Sequence, residues 1–74
     1  MVNEQERKRI GECIATIRMA KGITQDELAD KAGIQRTNIR KIEQGRYGIP
    51  IDVLAAIADA LDCKVVLIGK EMQI

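Results

Sequence analysis

An all-α domain of four short helices, followed by a short C-terminal β-strand, is the fold class that this sequence predicts. Three observations carry the prediction. Apolar residues recur at spacings of three and four through most of the chain, the period of helices with one buried face. Gly22, Gly33, Gly45 and Pro50 interrupt that pattern, as helix ends and turns require. From Lys64 the pattern changes to Lys64-Val65-Val66-Leu67-Ile68, a β-branched run with no helical period. At 74 residues the chain is one domain, 1–74, and a core this small is marginal enough that oligomerisation is a common remedy.

The first helix is expected from about Asn3 to Ala20, with Ile10, Cys13, Ile14, Ile17 and Ala20 on one apolar stripe. Gly11 lowers helix propensity slightly and permits close packing. Gly22 falls where a left-handed C-terminal cap belongs. Thr24 with Glu27 three residues on forms a capping box. The helix it opens turns Leu28, Ala29 and Ala32 inward. Gly33 ends that helix in a tight turn that needs positive φ, and Ile34 packs between the two helices. The third helix runs roughly from Gln35 to Gln44, and its only large apolar residues are Ile39 and Ile42. Gly45 caps it, and 46–49 is a loop containing Tyr47, the only aromatic residue. Pro50 suits the first turn of a fourth helix, which carries Val53, Leu54, Ile57, Ala58 and Leu61 on one face.

Residues 24–45 are thus two short amphipathic helices hinged at a glycine, and the second is rich in polar and basic side chains. That is a helix-turn-helix, a device for placing one helix in the DNA major groove. The formal net charge is only +1, but the charge is segregated. From Lys31 to Gly48 the bases are Lys31, Arg36, Arg40, Lys41 and Arg46, against the single acid Glu43. From Ile49 to Asp62 there are only acids, Asp52, Asp59 and Asp62. A local basic face is what phosphate binding needs, whatever the total charge.

Both faces of the 64–68 strand are apolar, and no other stretch reads as a partner for it. An uncovered apolar strand invites aggregation. The simplest cover is the same strand of a second copy, making Val65, Val66, Leu67 and Ile68 a dimer interface; a strand folded onto its own chain and a frayed tail are the alternatives.

Other chemistry is thin. The chain has no histidine, no glycine-rich phosphate loop and no carboxylate pair suited to a pocket, so an enzyme is not expected. Cys13 and Cys63 are far apart in sequence and lack metal-ligand neighbours. They read as reduced packing residues of a cytoplasmic protein, with no metal, cofactor or small-molecule ligand expected. No segment is long and apolar enough to span a bilayer, and the first residues lack the apolar stretch of a secretory signal.

Residues Arg18, Thr24-Gln25, Glu27-Leu28-Ala29, Gly33-Ile34, Asn38-Ile39, Ile42-Glu43-Gln44-Gly45, Pro50 and Leu54-Ile57-Ala58-Leu61 resemble the Cro/C1-type (XRE-like) helix-turn-helix family of phage repressors and small bacterial regulators. The resemblance covers 10–61 and implies the lambda-repressor-like fold. It implies base contacts from Gln35, Arg36, Thr37 and Lys41. Phosphate contacts are implied for Gln25, which the resemblance also has buttress the reading helix, and for Asn38, Arg40, Arg46 and Tyr47. Arg18 and Glu43 match a structural ion pair between the first and third helices. The tail departs from the phage repressors and is similar to small DNA-binding antitoxins. The resemblance therefore implies a dimeric repressor on a palindromic double-stranded operator, or alternatively an antitoxin that also binds a toxin protein. In base readout, an arginine such as Arg36 suits the O6 and N7 of guanine, a glutamine such as Gln35 suits adenine, and the Thr37 methyl suits thymine.

Overall fold

A computed structural model describes residues 3–46 and 48–72 of the chain. Helix α1 is Glu4–Ala20, α2 is Gln25–Ala32, α3 is Arg36–Glu43 and α4 is Ile51–Ala60. A single 3-10 turn follows at Lys70–Met72. The helices lie where the apolar periodicity placed them, and local chemistry explains their ends.

Asn3 caps α1 by accepting a hydrogen bond from the Glu6 amide at 3.0 Å. Thr24 opens α2 with a complete capping box. Its Oγ1 accepts from the Glu27 amide at 3.0 Å, and Glu27 Oε1 accepts from the Thr24 amide at 2.8 Å. Those bonds to Thr24, the backbone one foremost, hold the Glu27 carboxyl below its ordinary pKa. Gly33 takes φ +70° and closes α2, and the turn through Ile34 leads directly into α3. Pro50 stands one place earlier than expected, as the residue preceding the first turn of α4. At the far end of α4, Asp62 adopts φ +60°, a left-handed conformation that a short polar side chain tolerates better than most.

The core is aliphatic throughout. Ile14, Leu28, Ala29, Ile39, Ile42, Ile57 and Leu61 are buried, with Ile10, Ile17, Ile34, Val53 and Leu54 packed around them. Helix α2 packs against both α3 and α4, and α1 closes on α3. That last contact is backbone to backbone. A Cβ on Gly11 would collide with the Ile42 carbonyl oxygen and lie 2.8 Å from that of Glu43. Gly11 is therefore the point at which α1 reaches the C-terminal end of α3. Gly45, with φ +70°, makes a somewhat looser approach to α1: a Cβ there would lie 2.9 Å from Lys8 Cα.

Two expectations are corrected. No strand forms over 64–68 among the described residues. A ladder needs a second strand, and this chain supplies none. Val65, Val66 and Ile68 stay exposed, and Leu67 is fully so; the segment is not folded into its own core. Cys13 is also exposed rather than packed. The apolar stripe of α1 is narrower than its period suggested, because Ile14 alone is buried in it and Ile10 and Ile17 flank it. Cys13 instead lines an open groove with Ile17, Leu54, Ala58, Cys63 and Val65. Cys63 is half-buried against the core, as expected.

Candidate nucleic-acid interface

Helix α3 presents one face to the core and the other to solvent. Ile39 and Ile42 are essentially inaccessible. At about 100° per residue, Thr37, Arg40, Lys41 and Gln44 lie on the opposite side, and all four are exposed. Arg36 stands on the flank nearest α2, also exposed, and Gln35 precedes it at the open end of the helix. Arg46 follows α3 and is exposed. Asn38 is half-buried, so less of it is available than of its neighbours. Tyr47 lies outside the described residues. The expected readers Gln35, Arg36, Thr37, Lys41 and Arg40 thus share the accessible surface of one short helix, with Lys31 exposed at the end of α2.

A second set of residues holds that helix in place. Arg18 on α1 forks onto Glu43 at the end of α3. Its Nε donates to Oε2 at 2.7 Å, and its Nη2 donates to Oε1 at 3.1 Å. Its Nη1 donates to the Ile23 carbonyl at 3.0 Å. The side chains of Arg18 and Glu43 are only 13% and 7% exposed. The bond to Glu43 raises the Arg18 pKa above its ordinary value. Gln25, the first residue of α2, donates from Nε2 to the same Glu43 Oε1 at 3.0 Å. One carboxylate therefore joins α1, α2 and α3. The sequence pointed to the Arg18–Glu43 pair. It also assigned Gln25 to bracing the reading helix as well as to phosphate; the bracing contact is Glu43 itself.

One contact was not foreseen. Arg36 Nη1 donates to Asp26 Oδ2 at 3.2 Å across the turn. Asp26 sits in the first turn of α2. Nothing in the sequence singled out Asp26, and no local spacing signals a pair ten positions apart.

Among the described residues there is no cluster of side chains suited to hold a metal ion, and no helix is long and apolar enough to cross a membrane.

Known proteins carry the same arrangement. The Helix-turn-helix family profile (HTH_3) matches residues 14–68. The immunity repressor protein of Bacillus phage phi105 is 36% identical over 63 residues, spanning 84% of this chain and 44% of the repressor. The chain spans about half the length of the curated relatives it matches. In structure, the restriction-modification controller protein C.AhdI from Aeromonas hydrophila superposes with a TM-score of 0.79 at 27% identity, over 81% of this chain and 91% of that one. The controller protein C.Esp1396I, solved as a tetramer in complex with its natural 35 base-pair operator, gives 0.75 at 33% identity, over 78% of this chain and 76% of that one. With more than half of its length matched by the family profile and its four helices in the same arrangement, the chain belongs to the helix-turn-helix family.

Proposed function

We propose that this protein is a sequence-specific DNA-binding transcriptional regulator, acting as a dimeric repressor that occludes a palindromic operator. The observation that carries the reading is the α3 surface: a rigidly held short helix whose accessible side is made of Gln35, Arg36, Thr37, Arg40 and Lys41. In this reading Gln35, Arg36, Thr37 and Lys41 meet base edges in the major groove. Gln25, Asn38, Arg40, Arg46 and Tyr47 contact phosphates. Phosphate contacts set position and base contacts carry sequence information. The names of the relatives, an immunity repressor and controller proteins, favour a regulator over the antitoxin alternative.

Selection from a random double-stranded DNA pool at physiological salt tests the reading directly, because affinity depends steeply on salt. The expected result is an enriched palindrome whose half-sites lie about one helical turn apart. Arg36→Ala should weaken binding by about 1–3 kcal/mol and relax preference at one base, whereas Arg40→Ala should weaken binding to all sequences evenly and lower the salt slope by about one. Failure of the pool to enrich any sequence refutes the proposal.

The dimer rests on the tail. Val65 to Ile68 are each more than 40% exposed, and 64–68 make no backbone–backbone hydrogen bond among the described residues. A second copy of the same segment satisfies both at once, as a two-fold ribbon. Replacing Val66 and Ile68 together by lysine should give monomers in sedimentation velocity. Dimers that persist would place the interface elsewhere.

A further inference from the structure

We propose that Asp26 is a positioning residue for sequence readout: it holds the Arg36 guanidinium in the orientation that reads guanine. This inference rests on the assignment of Arg36 as a base reader. The contact uses only Nη1 of Arg36, and an arginine has five N–H donors in a rigid fork. The Nε and Nη2 edge has no other partner among the described residues, which leaves a two-donor edge for the O6 and N7 of guanine. A free arginine at an exposed helix start samples many rotamers, and fixing one of them before binding sharpens the choice of base.

The pair has little structural value. The side chains of Arg36 and Asp26 are 64% and 60% exposed, and ion pairs at such sites hardly stabilise a fold. Nor does Asp26 help phosphate binding. It is an acid beside a surface whose other exposed charges include Arg36, Arg40, Lys41 and Arg46, and it opposes the field that draws DNA in. A carboxylate that lowers general affinity while orienting one reader is a device for discrimination.

The test compares the parent protein, Asp26→Asn, Asp26→Glu and Arg36→Ala. Each is selected against the same random DNA pool and titrated against one mixed-sequence duplex. Arg36→Ala identifies the position that Arg36 reads. At that position Asp26→Asn should reduce the guanine preference by about three- to tenfold, a fraction of the full value of a bidentate pair. Its affinity for the mixed-sequence duplex should be unchanged or tighter, and Asp26→Glu should restore part of the preference. A structural role would instead weaken both kinds of binding together, and that result overturns the proposal. So does an unchanged guanine preference in Asp26→Asn. If Arg36→Ala itself alters no base preference, the assignment of Arg36 is what fails, and the role of Asp26 falls with it.

Discussion

Glu43→Ala is expected to destabilise the protein by about 3 kcal/mol, at the lower end of the range for removing one partner of a buried ion pair. The loss has three sources. Arg18, only 13% exposed in its side chain, keeps its bond to the Ile23 carbonyl but loses both bonds to carboxylate. Gln25 Nε2 loses its acceptor. The end of α3 loses its polar ties to α1 and to the start of α2 and keeps only its apolar and backbone packing. A domain of this length holds roughly 4–11 kcal/mol in all, so the change removes a large share of the stability. Urea unfolding followed by circular dichroism measures it. Glu43→Gln should fall between parent and alanine variant, since an amide oxygen still accepts hydrogen bonds while the charge is gone. A loss below about 1 kcal/mol for the alanine variant, within the range of an exposed pair, would show that the three-helix junction carries no weight.

Gly11→Ala is expected to destabilise although alanine is the better helix former. The added methyl would meet the carbonyl oxygens of Ile42 and Glu43. These are backbone atoms near the end of α3 and cannot swing aside as a long side chain would. Helix α1 must move away, and forced overpacking of this kind costs about 1–3 kcal/mol. The gain in helix propensity returns up to about 1 kcal/mol. The net loss should lower the unfolding midpoint clearly, and Gly48→Ala is the control, because a Cβ there meets nothing within 4 Å. A Gly11→Ala variant as stable as its parent would show that the α1–α3 contact can relax at no cost.

The parts of this molecule that were legible in the sequence are those with a local cause. Thr24 and Glu27 form their capping box because both partners lie within one helical turn. Gly33 and Gly45 take positive φ where short helices must stop. Ile39 and Ile42, the only large apolar residues of α3, are both buried. The errors arose where the cause is not local. Cys13 shares the period of Ile10, Ile14 and Ile17, yet period gives only the direction of a side chain and not how far the neighbouring helix extends over it. The run from Val65 to Ile68 has strand composition, but composition cannot provide the second strand of a ladder. Asp26 and Arg36 meet only because the Gly33 turn folds α3 back beside the start of α2.

The clamp on Glu43 has a thermodynamic consequence for recognition. Helix α3 has eight residues, about 12 Å of helix, and a peptide of that length does not hold a helix in water. Its order comes from tertiary contacts already present in the free protein. The entropy of forming the reading helix is thus spent during folding and not again on contact with a ligand. Binding through this surface should therefore lack the large ordering penalty, and the correspondingly large negative heat-capacity change, of segments that fold as they bind.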